Sequence, residues 1–77
     1  MTITVKFFAS LRESTGCREV EVEASRARTA ADAWHLATGG RPIPGDVLVA
    51  VNLEYTQPGA SVRAGDEVAF FPPVTGG

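Results

Sequence analysis

At 77 residues the chain has room for one compact domain, which excludes a self-contained large enzyme. Hydrophobic residues make up 44% and charged residues 21%, the balance of a folded domain rather than a disordered one. The formal charge is −2 and no basic run occurs, which argues against binding to a phosphate backbone, so no nucleic-acid partner is expected.

The opening Thr2–Phe8 alternates, with Ile3, Val5 and Phe7 on one side and Thr2, Thr4, Lys6 and Phe8 on the other, the period of a strand with one buried face. Ala9 to Thr15, closed by Gly16, suits a short helical turn or loop. Arg18 to Glu23 alternates strictly, Val20 and Val22 lying between Glu19, Glu21 and Glu23, so it reads as a second strand with an acidic solvent face and suggests a hairpin with the first. At Thr29 the period changes. Thr29-Ala30-Ala31-Asp32 resembles a capping box with Asp in place of Glu, and Gly39-Gly40 before Pro42 is a stop signal, which predicts one helix from about 29 to 38. Its buried stripe is Ala30, Ala33, Trp34 and Ala37, with Leu36 sharing the burial.

Asp46 to Val51 is a short apolar run that fits a strand buried on both sides. Gln57-Pro58-Gly59 is a turn, and Ala64-Gly65 a second, leading into a closing strand from Asp66 to Phe71. The order strand, strand, helix, strand, strand predicts an α+β fold, a mixed sheet of four or five strands with the helix on one face. It fits the ubiquitin-like β-grasp arrangement, with the first and last strands parallel neighbours. Residues 1–71 form that domain in this reading and residues 72–77 an extended tail.

No constellation for catalysis is present. His35 is the only histidine and falls in mid-helix, so no nucleophile has a base. Cys17 is the only cysteine, which leaves no partner for an internal disulfide and no set of ligands for a tetrahedral zinc site; no metal and no stably bound cofactor are expected. Glu19, Glu21 and Glu23 read as a solvated strand face, and Gly39-Gly40 closes a helix where a phosphate loop would open one. No stretch approaches ~20 consecutive apolar residues, and MTITVKFFAS has neither a basic segment nor a small-residue cleavage site, which predicts a cytoplasmic protein without membrane contact.

The end of the sequence carries the informative pattern. Pro72-Pro73 cannot continue a ladder, so the sheet stops near Phe71 and Val74-Thr75-Gly76-Gly77 is expected to project with it as an arm on the order of 20 Å long. Two terminal glycines arise by chance in roughly one chain in 200. A thin backbone without side chains can thread a narrow site that excludes water, and a carboxylate there can be made electrophilic by adenylation. Strand parity also leaves Phe8 and Phe71 on the face away from the helix, beside the root of the arm. Tyr55, in the preceding loop, can join them in an apolar docking patch.

These residues resemble a known family, the small subunits of molybdopterin synthase, which are β-grasp sulfur carriers. The resemblance is carried by Gly65-Asp66-Glu67-Val68-Ala69-Phe70-Phe71-Pro72-Pro73-Val74-Thr75-Gly76-Gly77, by Val5-Lys6-Phe7-Phe8-Ala9 with Leu11-Arg12-Glu13, and by Ala50-Val51-Asn52. It implies that an adenylyltransferase related to ubiquitin-activating enzymes adenylates Gly77. A sulfur donor then converts the transient acyl-AMP to a thiocarboxylate, and the carrier docks on the large synthase subunit, which holds the catalytic residues. Sulfur passes there to cyclic pyranopterin monophosphate. Gly76, Thr75 and Val74 would thread the partner's site, and Phe8, Tyr55, Phe71 and Pro72 would meet its surface in a heterotetramer. The helix is poorer in leucine than the family pattern, and Tyr55 stands where the family has an aliphatic residue. Two alternatives stay open: a carrier delivering sulfur to thiamine, cysteine or tRNA thiolation, and a ubiquitin-like interaction module or protein tag that carries no sulfur.

Overall fold

The structure, a computed structural model, describes residues 1–73. Val74, Thr75, Gly76 and Gly77, on which the threading and carrier roles fall, lie outside the described residues. The elements are β1 (Thr2–Phe7), α1 (Ser10–Thr15), β2 (Glu19–Glu23), a 3₁₀ turn (Ala24–Arg26), α2 (Ala30–Thr38), β3 (Leu48–Val51), β4 (Glu54–Thr56) and β5 (Glu67–Phe71). They build one five-stranded mixed sheet in the order β2-β1-β5-β3-β4. β1 is antiparallel to β2 and parallel to β5, with Val5 opposite Val68 and Phe7 opposite Phe70. The two strands furthest apart in sequence are thus neighbours in the middle of the sheet, as the element order predicts.

One strand escapes the sequence reading. Tyr55 belongs to β4 and not to a loop, antiparallel to β3 with Ala50 opposite Tyr55. The turn between β3 and β4 is Asn52-Leu53, both at positive φ (50° and 71°), the left-handed pair that a two-residue hairpin needs. Asn tolerates that region; Leu there is an outlier.

The core lies between the sheet and α2. Ile3, Val5, Phe7, Val68 and Phe70 are fully buried on the helix side, as their parity predicts, and α2 meets them with Ala30, Ala33 and Trp34. Ala37 and Leu36 are half-buried against this cluster. The thin alanine stripe lets the helix approach while Trp34 supplies the bulk: its ring stands edge-on to Phe7 (centroids 5.5 Å apart) and Phe70 (5.0 Å). Its indole N–H donates to the Arg41 carbonyl at 3.1 Å, so the polar end of the ring is satisfied.

α2 begins as its sequence predicts. The Thr29 hydroxyl accepts from the Asp32 N–H, and the Asp32 carboxylate accepts from the N–H groups of Thr29 and Arg28. The next two N–H groups, of Ala30 and Ala31, donate to the carbonyls of Ala60 and Pro58, which ties the β4–β5 connection across the helix start. These donors hold the Asp32 carboxyl below its ordinary range, the Arg28 N–H contributing most. No helix among the described residues is long and apolar enough to cross a membrane.

Candidate functional site

Among the described residues no helix lies over the face of the sheet away from α2. Its residues follow from the register: Lys6 and Phe8 from β1 and its end, Ala69 and Phe71 from β5, Leu48 and Ala50 from β3, and Tyr55 from β4. Phe8 remains in the ladder, its N–H donating to the Phe70 carbonyl at 3.1 Å. That bond stations the Phe8 ring directly over Phe71: the centroids are 4.7 Å apart and the planes 9° from parallel. Tyr55 lies 6.1 Å from Phe71, tilted by 55°. Phe8, Phe71 and Pro72 are half-buried, whereas Tyr55 is 73% exposed. The structure therefore brings together the aromatic side chains that parity assigned to one patch, and puts Tyr55 there from an edge strand.

Charged groups frame the patch. The Lys6 ammonium pairs with the Glu67 carboxylate at 3.0 Å, and that bond holds the lysine above its ordinary pKa. Beyond Lys6, the exposed Glu19, Glu21 and Glu23 form the acidic side of β2, in agreement with the solvated-face reading. His35 is exposed and Cys17 half-buried. Among the described residues no group of three or more His, Cys, Asp or Glu side chains could hold a metal ion.

Two pieces of backbone hold the patch and were not legible as such. The β3–β4 turn is stapled to the start of β5: the Asn52 side-chain carbonyl accepts from the Glu67 N–H and its amide donates to Asp66, both at 3.0 Å. Asp66 also accepts from the Arg63 N–H at 2.9 Å, and these donors, Asn52 first, hold its carboxyl below the ordinary range. Gly65 precedes it at φ 90°, a conformation that a side chain would strain. The second piece is Ala9, at φ 52° and ψ −129°, which reverses the chain directly after Phe8 and starts α1. Of the three non-glycine residues at positive φ among the described residues, Ala9 directly follows Phe8, and Asn52 and Leu53 turn β3 into the strand that carries Tyr55. Sparsely populated backbone of this kind concentrates at functional sites.

Residues 5–77 match the ThiS family. The chain is 40% identical to the molybdopterin synthase sulfur carrier subunit of Haemophilus influenzae, an alignment covering 97% of this chain and 99% of that protein. Among solved structures, that of SAMP1 (small archaeal modifier protein 1) from Haloferax volcanii is similar at TM-score 0.80 and 32% identity, with 100% of both chains covered. A protein–protein complex of subunits 1 and 2 of the molybdopterin-converting factor from Helicobacter pylori contains a chain with the same fold, at TM-score 0.64 and 18% identity over 100% of each chain.

Proposed function

The chain belongs to the ThiS family, and on that premise we propose that it is the sulfur carrier of molybdopterin synthase, acting in molybdenum cofactor biosynthesis. The observation that carries the reading is the Phe8–Phe71–Tyr55 face, an uncovered aromatic patch at the root of the Pro-Pro-Val-Thr-Gly-Gly segment. A carrier needs a surface for its partners to grip and a slender end to deliver, and chemistry can then reside elsewhere.

In this reading the Gly77 carboxylate attacks the α-phosphorus of ATP on an adenylyltransferase, and pyrophosphate leaves. Sulfide-level sulfur from a donor attacks the acyl carbon, the bond to AMP breaks, and the chain end becomes a thiocarboxylate. Pro72 directs the arm away from the sheet, since neither it nor Pro73 offers an N–H to the ladder. Val74, Thr75, Gly76 and Gly77 enter the partner's site, where the glycines present no side chain to obstruct it. The partner in this reading is the large synthase subunit, the kind of partnership that the complex of subunits 1 and 2 from Helicobacter pylori represents, and the family resemblance implies a heterotetramer of two copies of each. The thiocarboxylate sulfur bonds to cyclic pyranopterin monophosphate, water then cleaves the acyl–sulfur bond, and the carboxylate is regenerated for another round in the cytoplasm. Carbonyl activation needs no cofactor resident on this chain.

The test is intact mass after incubation with the adenylyltransferase, ATP and a sulfur donor. The expected product has one oxygen at the C-terminus replaced by sulfur, and one added residue after Gly77 abolishes both that product and sulfur delivery. Undiminished pathway activity in the extended variant overturns the reading. The likeness to SAMP1 favours one second reading, a protein modifier whose activated glycine is taken by an amine of another protein. That reading predicts covalent conjugates in the same incubation when other proteins are present, with no sulfur retained.

A further inference from the structure

A groove of about 360 Å³ opens beside Phe8 where β1, α1 and the start of β2 meet. Lys6, Arg12 and Arg18 line it, with Glu19 as the one acid. These three cations come from a strand, a short helix and a loop, so they form no run in the sequence, and they gather on a chain whose overall charge is −2. Lys6 is held by Glu67 at the edge of the aromatic patch. Arg12 and Arg18 are exposed, and neither enters an ion pair or a side-chain hydrogen bond among the described residues.

The backbone supports the same location. Ala9 adopts its strained turn between Phe8 and α1, its carbonyl accepts from the Arg12 N–H at 3.0 Å, and the Phe8 carbonyl accepts from the Leu11 N–H at 3.1 Å. Leu11 is buried, so the turn is fixed at one end by the β1–β5 ladder and at the other by the core. One reversal therefore sets both the Phe8 ring and the helix that carries Arg12, making the groove continuous with the aromatic patch.

We propose that this groove is a second half of the docking surface and receives an acidic segment of the large synthase subunit, with the Arg12 and Arg18 guanidinium groups taking its carboxylates. Arginine suits that role because its planar fork meets a carboxylate through two parallel N–H bonds. Charges at the rim of an apolar contact act chiefly on encounter rate and on orientation. The aromatic patch would supply adhesion and the groove would supply register, fixing which way the arm points. This inference rests on the carrier reading above.

The test measures binding of the full chain to the large subunit of the same organism by calorimetry over a series of salt concentrations. The double variant Arg12→Glu, Arg18→Glu should weaken binding by about tenfold per reversed charge at low salt and flatten the salt dependence. Its thermal unfolding should be unchanged, since both side chains project into solvent. Arg12→Gln with Arg18→Gln should give a smaller loss in the same direction. Phe71→Ala, in contrast, should weaken binding at every salt concentration. If the charge-reversed variant binds as wild type does, with the same salt dependence, while Phe71→Ala loses affinity, the groove proposal is overturned and the carrier reading stands. Inorganic phosphate perturbing Arg12 and Arg18 in an NMR titration, together with intact affinity of the charge-reversed variant for the large subunit, overturns it in favour of a small anion. If Phe71→Ala also binds unchanged, the docking reading falls and the groove proposal falls with it.

Discussion

Phe70 and Phe71 are adjacent in sequence and on opposite faces of β5, so truncating each in turn separates fold from docking. Phe70 is fully buried, stacked on Phe7 at 5.9 Å and edge-on to Trp34. Phe70→Ala opens a core cavity and should cost about 3–5 kcal/mol. A domain of this size has roughly 4–11 kcal/mol of stability in total, so that variant should be marginal or unfolded at 37 °C. Phe71 is half-buried and its principal neighbours are Phe8 and Tyr55, themselves on the uncovered face. Phe71→Ala gives up an aromatic pair and part of one ring's burial, about 1–2 kcal/mol, which lowers the melting temperature by about 4–8 °C for each kcal/mol. Against the large subunit the loss should be larger, because a central aromatic anchor that becomes fully covered contributes about 2 kcal/mol or more, a drop of about 30-fold in affinity. Urea unfolding and calorimetric titration on both variants decide the matter. A stability loss in Phe71→Ala as large as that of Phe70→Ala would refute the two-faced assignment, and unchanged affinity would refute the docking role.

Three further outcomes follow from local geometry. Thr29→Ala removes half of the capping box at the start of α2 and should cost about 1 kcal/mol, read as a lower urea midpoint with an unchanged slope. Leu53→Gly should stabilise the domain by about 1 kcal/mol, since relief of the positive φ outweighs the backbone entropy of glycine and a side chain 88% exposed leaves no cavity. The Asp66 carboxyl titrates below its ordinary value in the folded state, so its contribution is present above about pH 4 and is lost as the pH falls through the lower folded value. Asp66→Asn should therefore flatten the fall of stability below about pH 4 in acid titrations followed by urea unfolding, and an unaltered fall would show that the Asn52 and Arg63 donors do not favour the ionised form.

Much of this fold is written in local pattern. β1 and β2 alternate cleanly because each has one face in the core, and α2 announces itself through Thr29 and Asp32 at one end and Gly39 at the other. β4 left no such trace: Glu54, Tyr55 and Thr56 are all exposed, so there is no alternation to see, and Asn52-Leu53 lacks the glycine that usually marks a two-residue hairpin. The aromatic patch could be derived by parity, since Phe8 and Phe71 each follow a residue of known facing. The groove beside it could not. Lys6, Arg12 and Arg18 meet only because Ala9 turns the chain back on itself, and alanine carries no signal for positive φ.

The place of β5 bears on how the chain is made. Without it the sheet order β2-β1-β5-β3-β4 falls into two separate hairpins, and Val68 and Phe70 are missing from the core. Its pairing with β1 joins Thr4 to Glu67, a contact that closes nearly the whole length of the chain. A nascent chain emerging from the ribosome therefore has no stable body to form until the last strand is out, and a product cut short before Glu67 should remain open to proteolysis. Folding in this molecule waits on its joining strand: a compact body certifies that Glu67–Phe71 has been made.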